Sequence, residues 1–364
     1  NEVSIGNIRD IQVEDLLGRE SISLDKSIIQ KFIYNKKILI TGGAGSIGSE
    51  LCRQICKFKP SLVLILDQDE TGIFYIEKEL KSEFFELKII PIIADITNKE
   101  KIDKIFKKFT PDIVFHAAAY KHVPLMEQYF DEAVSNNVFG TRIVAECSIK
   151  YNAEKFIFIS TDKAVKPSSV MGATKRIGEM ICQALNKETN TQFISVRFGN
   201  VLGSRGSVIP VFAKQIKKRK QIEITHPEMK RYFMITSEAC LLVMTAGAIG
   251  QGGEVFVLDM GSPVKILDLA KEMIRLSGLE PDKDIPIVYT GIRPGEKFFE
   301  ELLTAEEGVI ATQNQKIFMA KLSETDKDKI NNALIRLNNA INNFDEQEII
   351  NIFTEIVPFY KRIK

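Results

Sequence analysis

The feature that most constrains the fold is a glycine-rich segment between a short apolar strand and a helical pattern. Lys37–Thr41 reads KILIT and runs directly into GGAGSIG at residues 42–48. Strand, glycine loop and helix in this order let backbone approach a pyrophosphate closely, and the helix N-terminus offers N–H groups and a positive dipole end. The segment therefore predicts a dinucleotide-binding unit. Its predicted contacts are Gly42, Gly45, Ser46, Ile47 and Gly48.

Strand-like and helix-like segments alternate from residue 37 onward, which is typical of parallel strands joined by crossover helices. We therefore predict an α/β fold, a Rossmann-type doubly wound parallel sheet. The predicted strands are Lys37–Thr41, Leu62–Leu66, Lys88–Ile93, Asp112–Phe115, Lys155–Ser160, Gln192–Val196 and Glu254–Leu258. The predicted helices lie near 47–58, 71–84, 98–109, 131–151 and 170–187.

The regular rhythm of strands and helices breaks after about residue 200, where the clusters GSRGS, THPEMKRYF and GIRPGEK look like ligand-facing loops. We predict a leader or linker at 1–34, a dinucleotide-binding domain at 35–199 and a helical tail at 323–364. Residues 200–322 would form a smaller, discontinuous substrate-binding subdomain, with strand 254–258 returning to the large sheet.

Composition excludes several function classes. Lys and Arg number 49 and Asp and Glu number 48, a formal net charge of +1, so no overall field favours nucleic acid or an anionic membrane. The 5 cysteines are too scattered for a disulfide framework, and the 3 histidines have no metal-ligand spacing. No apolar stretch reaches the roughly 20 residues of a membrane span. We expect a cytoplasmic protein without metal, nucleic-acid partner or membrane contact of its own.

Acidic and small residues follow the next strands of the predicted sheet. Asp67 ends the second strand, where a carboxylate can accept hydrogen bonds from ribose hydroxyls and repel a 2′-phosphate. This position favours NAD over NADP, although a solvated strand-end acid is the alternative. Asp95 and Ile96 follow the third strand, and Ala117 and Ala118 follow the fourth. Asp95 is predicted to meet the adenine amine, and all four residues are predicted to contact the cofactor.

An acid, an amine and a hydroxyl follow the fifth strand as Thr161, Asp162 and Lys163. The next helix carries Met171 and Lys175 in its first turns. In a doubly wound sheet, this edge faces the cofactor crevice. A lysine in a dry site or near positive neighbours has a lowered pKa and can act as a base. By itself, the triplet could equally form a solvated ion pair in a loop.

Several motifs together resemble the extended short-chain dehydrogenase/reductases. They are TGGAGSIG, HAAAYKHVPLME, NNVFGT, STDKAVKP, MGATKR, RFGNVLGSRGSVIP and RPGEK. More narrowly, they resemble the UDP-N-acetylglucosamine 4,6-dehydratases of bacterial polysaccharide and glycan biosynthesis, over about residues 14–310. The segment VEDLLGR in the leader resembles the long, membrane-anchored members of that family. By that resemblance, an upstream membrane region would hold this catalytic part on the cytoplasmic face of the inner membrane.

The resemblance implies a lyase that uses NAD to convert UDP-GlcNAc into a UDP-4-keto-6-deoxy sugar. It implies that Lys163 is the base at C5, Asp162 the acid at C6, and that Thr161 orients the C4 hydroxyl. Lys175 would hold the nicotinamide ribose. The wider superfamily has a tyrosine at the position of Met171. The long dehydratases resemble this chain in having a methionine there. The group that accepts the C4 hydroxyl proton is thus open, with Asp162 as one option.

The resemblance also places residues on the nucleotide-sugar side. Asn200, Lys121 and His122 are expected to contact the substrate, and Glu296 the uridine ribose. Arg205, Arg231 and Arg293 are candidates for the diphosphate, because guanidinium groups match phosphate geometry. Each arginine could instead be an exposed surface cation. A packed, hydrogen-bonded role is expected for His116.

Two other functions remain open from the sequence. A UDP-sugar 4-epimerase would use the same cofactor and hydride step, but Met171 and the Asp162–Lys163 pair count against it. A non-catalytic NAD(H)-binding scaffold is the second alternative. The resemblance favours retention of configuration at C5. It also favours a homo-oligomer formed through helices 98–109 and 131–151.

Overall fold

The computed structural model describes residues 25–187, 189–302, 308–322 and 325–363. The strands share short, mostly apolar sequences. They are β1 (Lys37–Thr41), β2 (Leu62–Asp67), β3 (Ile89–Ile93), β4 (Ile113–His116), β5 (Lys155–Ile159), β6 (Gln192–Arg197), β7 (Asn200–Val201), β8 (Ile222–Ile224), β9 (Lys230–Arg231), β10 (Phe233–Met234), β11 (Val255–Leu258), β12 (Val264–Lys265), β13 (Ile287–Tyr289), β14 (Val309–Ala311) and β15 (Ile317–Ala320).

The helices connect these strands and cover the sheet. They are α1 (Lys26–Ile33), α2 (Ser46–Cys56), α3 (Glu70–Glu83), α4 (Lys99–Phe109), α5 (Val123–Met126), α6 (Phe130–Val134), α7 (Thr141–Lys150), α8 (Val170–Asn186), α9 (Val208–Lys217), α10 (Thr236–Ile249), α11 (Ile266–Leu276), α12 (Lys327–Asn342) and α13 (Glu346–Ile356). A π-helical turn, Ser135–Gly140, joins α6 to α7, and a 3₁₀ turn, Asp162–Ala164, follows β5.

One large sheet has the strand order β14-β15-β11-β6-β5-β4-β1-β2-β3. All pairs from β3 to β11 are parallel, whereas β15 and β14 add an antiparallel edge. From β1 the chain adds β2 and β3 towards one edge of the sheet and then β4, β5 and β6 towards the other edge. This is the strand order of a Rossmann sheet, with its switch point between β1 and β4. The predicted fold class is confirmed, and every predicted strand is present within two residues of its expected limits.

The sheet is buried on both faces because its strands are nearly continuous apolar runs. In β1, Ile38 and Ile40 join the core on one face, which α2 and α10 cover, and Leu39 joins the core on the other. This alternation follows the two-residue period of a strand. Since both faces are covered, the crevice at the carboxyl ends of the strands is the part of the sheet left open to a ligand.

The predicted helix 131–151 is present, but a π-helical turn interrupts its α-helical geometry. α6, the π-helical turn and α7 form one continuous helical segment, and the π-helical turn contains Asn137. The Asn137 amide accepts from the Tyr120 backbone N–H at 2.8 Å and donates to the Tyr120 carbonyl at 2.9 Å. A π turn is common at functional sites. Here it holds the segment after β4 in place beside the crevice.

The described part of the predicted leader packs outside the sheet. Ile29 and Ile33 of α1 are fully buried, and α1 lies against α10. The VEDLLGR segment lies outside the described residues. Among the residues that the structure describes, no helix has the length and apolar character needed to cross a membrane.

Two further apolar clusters stand apart from the sheet core. α9, α11 and the short strands β8, β10 and β13 contribute to one of them, in the chain after residue 200. The other joins α6 and α8 to a hairpin of α12 and α13, which is the predicted helical tail. The tail therefore packs along α8, the helix that follows Thr161, Asp162 and Lys163.

Candidate active site

A crevice of two adjoining cavities lies at the carboxyl ends of β1, β2, β4 and β5. The volumes are about 400 Å³ on the side of Thr161 and Lys163 and about 200 Å³ on the side of β2 and β3. Gly42, Gly45, Ala117, Ala119 and Tyr120 line both cavities. The crevice thus runs continuously across the point where the strand order reverses, which is the ligand site of doubly wound sheets.

The glycine loop leaves no room for side chains where backbone must approach a ligand. Gly42 has a φ of +69°, and a Cβ there would lie 2.5 Å from the Ala118 nitrogen. A Cβ on Gly48 would overlap the Gly42 carbonyl oxygen. Gly45 donates its N–H to that same oxygen at 3.0 Å and caps α2, which begins at Ser46. These three glycines form a cradle at a helix N-terminus that fits a pyrophosphate.

Every residue predicted to bind the cofactor lines this crevice. They are Gly42, Gly45, Ser46, Ile47, Gly48, Asp67, Asp95, Ile96, Ala117, Ala118 and Lys175. Asp67 also organises the loop, because its carboxylate accepts from the backbone N–H groups of Ala44 and Asp69, each at 3.0 Å. Dinucleotide binding by these residues remains a prediction. It requires that they all line one crevice, as they do here.

Thr161, Asp162 and Lys163 form a hydrogen-bonded group at the end of β5. Thr161 Oγ1 and Lys163 Nζ each donate to Asp162 Oδ1 at 2.9 Å. Lys163 Nζ also lies 3.5 Å from Asn200 Oδ1. Thr161, Lys163 and Asn200 line the larger cavity. The triplet is therefore built into the site and is not a solvated ion pair.

Asp162 does not lie where the sequence reasoning expected it. Its side chain is completely buried, and it is absent from the cavity lining. A Cβ on Gly199 would lie 3.1 Å from Asp162 Oδ2, so the glycine leaves space for the carboxylate beneath the cavity floor. The expectation that Asp162 directly contacts the reacting sugar is thus not met in this conformation. Asp162 reaches the cavity through Thr161 and Lys163.

The two lysines of the site have opposite pKa shifts. Burial alone would lower the pKa of Lys163, but the carboxylates of Asp162 and Glu300 outweigh burial and hold this pKa above its ordinary value. Burial lowers the pKa of Lys175 to about 8. The lowered pKa that the sequence predicts for the lysine of the triplet is therefore wrong for Lys163, because two carboxylates lie beside it.

Met171 and Lys175 lie on α8 and line the larger cavity. Met171 occupies the position of the usual tyrosine but brings no proton acceptor. Lys175 Nζ lies 4.0 Å from the centre of the Phe158 ring, a cation–π contact. Two Tyr-x-x-x-Lys matches occur elsewhere in the chain, beginning at Tyr151 and Tyr360, and both tyrosines lie outside the crevice. Tyr151 stacks on Phe106, and Tyr360 packs against Phe353.

A buried ion-pair network fixes the helix and loop of the site relative to each other. Glu179 of α8 accepts from Arg197 of β6 at 2.7 Å with both oxygens, from Arg176 at 2.7 Å and from Ser160 Oγ at 2.6 Å. These contacts, with the charge of Arg197 foremost, lower the pKa of Glu179 to about 2 despite its burial. Sequence reasoning missed this network. The sequence pattern that could have indicated it is the presence of Arg176 and Glu179 on the apolar helix α8 and of Arg197 on the apolar strand β6.

The residues expected on the nucleotide-sugar side fall into two groups. Lys121, His122 and Asn200 line the larger cavity. Arg231 and Glu296 form an ion pair of 3.1 Å, just beyond Lys163, and neither lines that cavity. Arg293 lies in the same loop as Glu296 and is exposed.

Arg205 is placed on the wrong side by the sequence reasoning. Its backbone N–H donates to Ser46 Oγ at 3.0 Å, and its guanidinium pairs with Asp69 at 3.1 Å. It lines the smaller cavity, beside Asp67. The turn after β7 carries Arg205 back over the glycine loop. The prediction that Arg205 binds the diphosphate of the nucleotide sugar is therefore corrected to a position on the cofactor side.

His116 has the packed role that the sequence predicts. Its Nδ1 lies 2.7 Å from Thr41 Oγ1 and its Nε2 lies 2.9 Å from Thr141 Oγ1. Burial lowers the pKa of His116 to about 3, so the ring is neutral. Within the described residues, no three or more His, Cys, Asp or Glu side chains are grouped so that they could hold a metal ion.

The fold, the glycine cradle and the Thr-Asp-Lys triplet define the class as an extended short-chain dehydrogenase/reductase. The chain belongs to the polysaccharide biosynthesis protein family, whose model matches residues 38–322. It is 49% identical over 353 residues to the capsular polysaccharide biosynthesis protein CapD of Staphylococcus aureus. That match includes 96% of this chain and 58% of CapD, so the chain spans little more than half of that relative.

Two other known proteins are also similar. A UDP-glucose 4-epimerase of Rickettsia bellii is 37% identical over 281 residues, which are 75% of this chain and 79% of the epimerase. The fold matches that of DesIV, a dTDP-glucose 4,6-dehydratase from Streptomyces venezuelae whose structure has NAD bound. The TM-score is 0.64 and the identity 19%, over 70% of this chain and 84% of DesIV. This last likeness concerns the fold alone.

Proposed function

We propose that this chain catalyses the NAD-dependent 4,6-dehydration of UDP-GlcNAc to a UDP-4-keto-6-deoxy sugar for bacterial polysaccharide or glycan biosynthesis. The observation that carries the proposal is the group of Thr161, Lys163 and Asn200 on the wall of a cavity that continues the glycine cradle, with Asp162 directly behind them. This group combines a hydroxyl, an amine and a carboxylate, which are the groups that an elimination across C5–C6 requires.

The crevice fits NAD. The glycine cradle would hold the pyrophosphate, Asp67 the adenosine ribose, and Lys175 the nicotinamide ribose. Asp67 disfavours a 2′-phosphate by charge repulsion, which favours NAD over NADP. When bound, NAD would accept a hydride from C4 of the sugar and return it to C6, so that the reaction has no net redox change.

The proton steps are assigned to this chain's own residues. Thr161 would orient the C4 hydroxyl of the sugar. The proton of that hydroxyl would pass to Asp162 through Thr161, which donates a 2.9 Å hydrogen bond to the Asp162 carboxylate. Lys163 would first release its ammonium proton to solvent, a step that its raised pKa makes costly, and would then take the proton from C5, which the C4 ketone acidifies. The C5–H electrons form the C5–C6 double bond as the C6–O bond breaks. Because Asp162 is covered, its proton would reach the leaving hydroxyl through Thr161 or Lys163.

The nucleotide part of the substrate would lie beyond Lys163. The Arg231–Glu296 pair and the exposed Arg293 lie in that direction, so we assign the arginines to the diphosphate and Glu296 to the uridine ribose. Lys121 and His122 would close the sugar side of the cavity. We also propose that this catalytic chain is cytoplasmic and forms a homo-oligomer.

The first prediction compares two neighbours on α8. Met171→Ala should reduce turnover much less than Lys175→Ala, because Met171 has no proton to transfer, whereas Lys175 brings positive charge to the cofactor site. The measurement is steady-state turnover of UDP-GlcNAc, with NAD affinity determined separately. An equal or larger loss for Met171→Ala would contradict these roles.

The function itself is tested by incubating the protein with UDP-GlcNAc in deuterated water and analysing the product by NMR and mass spectrometry. We expect a product that has lost one water, carries deuterium at C5 and has the same configuration at C5 as UDP-GlcNAc. An isomer of unchanged mass would instead establish a 4-epimerase, the second candidate, which the similarity to the Rickettsia enzyme favours. No product together with bound NAD would establish a binding scaffold. Met171 and the Asp162–Lys163 pair support dehydration over epimerisation.

A further inference from the structure

A second buried carboxylate lies beside the catalytic lysine. Glu300 belongs to the segment that follows the RPGEK motif, and its side chain is only 4% exposed. Its Oε1 lies 3.7 Å from Lys163 Nζ, and its Oε2 has no hydrogen-bond partner within the described residues. Neither the sequence reasoning nor the proton steps above use Glu300. A carboxylate so deeply buried is costly unless it stabilises a positive charge.

Five charged groups surround the Lys163 ammonium, and each comes from a defined segment. Asp162 lies on the same loop, Glu300 and Lys297 come from the RPGEK segment, Arg231 from β9 and Lys121 from the loop after β4. Lys297 also donates to the Val165 carbonyl at 2.9 Å, which ties its segment to the catalytic loop. The only two negative groups among the five are Asp162 and Glu300.

The two carboxylates cannot have the same role during the reaction. In the proposed steps, Asp162 accepts the C4 hydroxyl proton and becomes neutral. Until it gives that proton to the leaving C6 hydroxyl, it does not stabilise a positive charge on Lys163. Glu300 lines no part of the cavity and takes no proton from the sugar in these steps. It is the group that can stabilise the Lys163 ammonium when Lys163 has taken the C5 proton.

We propose that Glu300 is a positioning residue that sets the proton affinity of Lys163, and holds the C5 proton on Lys163 until that proton is returned. The inference rests on the proposed function, in which Lys163 is the base at C5. It concerns the chain's own charges, so it can be tested by a measurement on Lys163 itself as well as by activity.

The test is Glu300→Gln, which removes the charge and keeps the shape. The first readout is the pH dependence with which Lys163 reacts with acetic anhydride, quantified by mass spectrometry of the Lys163 peptide. Loss of one adjacent negative charge should move the midpoint to lower pH by about one unit. The second readout is the rising limb of kcat against pH with UDP-GlcNAc, which should move in the same direction.

The neighbouring acid provides a matched control. Glu301 is 43% exposed and pairs with Lys166 at 3.3 Å, so Glu301→Gln should leave both the labelling midpoint and the pH limb unchanged. Glu300→Asp retains the charge and should restore both readouts towards the wild type. If Glu300→Gln does not fold, Glu300→Leu has a similar volume without the charge and carries the same expectation.

The outcomes separate the two proposals. An unchanged labelling midpoint in folded Glu300→Gln would overturn the role of Glu300, whatever the activity. A shifted midpoint with an unmoved kcat limb would show that Lys163 does not act as the base, and would overturn the C5 part of the inference. If the wild type does not dehydrate UDP-GlcNAc, the proposed function fails, and the labelling result alone decides whether Glu300 controls Lys163.

Discussion

Lys163→Ala is expected to lower the rate of UDP-GlcNAc dehydration by about 10²–10⁴, the usual cost of losing a positioned acid or base. The reason is that Lys163 Nζ is the cavity-facing end of the buried group formed with Asp162, and no other amine of the triplet can replace it. Asp162→Asn should fall in the same range because an amide cannot take the proton that Thr161 passes to the Asp162 carboxylate. Turnover is measured by product mass, and NAD binding by titration.

The control for this prediction is Lys166→Ala, because Lys166 is partly exposed and pairs with Glu301 away from the cavity. It should turn over substrate close to the wild-type rate. Both triplet variants should keep bound NAD, since neither residue lines the smaller cavity. Near-wild-type turnover in Lys163→Ala would remove this lysine from the mechanism.

Glu179→Ala is expected to lower the free energy of unfolding by about 3–5 kcal/mol, because it leaves buried arginine charges without their shared carboxylate. Glu179 holds Arg197 and Arg176 and fixes Ser160, so the loss should also loosen the loop that carries the triplet. Urea unfolding at neutral pH measures the effect. Glu146→Ala is the control: Glu146 forms a half-buried pair with Arg142 one helical turn away, worth about 0.5 kcal/mol or less.

The same carboxylate predicts an acid dependence of stability. The pKa of Glu179 is lowered from 4.5 to about 2 in the folded chain, so the unfolded state binds a proton more readily. Its contribution is therefore complete above about pH 4.5 and is lost as the pH falls towards 2. Glu179→Gln should lack this part of the pH dependence. An identical acid profile in wild type and variant would contradict the role assigned to the network.

Local signals made much of the fold and the cofactor crevice predictable. Strand positions follow from short apolar runs, and in a parallel sheet all carboxyl ends meet at one edge. Asp67, Ala117 and Lys163 are far apart in the sequence, yet each follows a strand and each lines the crevice. The glycine cradle was predictable because its order of strand, loop and helix is contained in residues 37–48.

Charges that meet from distant segments could not be predicted in this way. Arg205 is predicted on the substrate diphosphate because a guanidinium group matches phosphate geometry, but the turn after β7 returns it to Ser46 and Asp69. The lowered pKa expected for Lys163 is wrong because Glu300, 137 positions further along, lies beside it. The sign of an electrostatic effect depends on such distances, and no local pattern contains them.

By itself, the amino-acid sequence determined the parallel sheet, the glycine cradle, the positions of the catalytic triplet and the absence of the usual tyrosine at Met171. These follow from periodicity and residue type, which act over a few positions. Only the tertiary structure decided that Asp162 lies beneath the cavity floor, that Arg205 is on the cofactor side and that Glu300 reaches Lys163. The physical reason is that burial and Coulomb interactions depend on which remote segments the fold brings within a few ångströms.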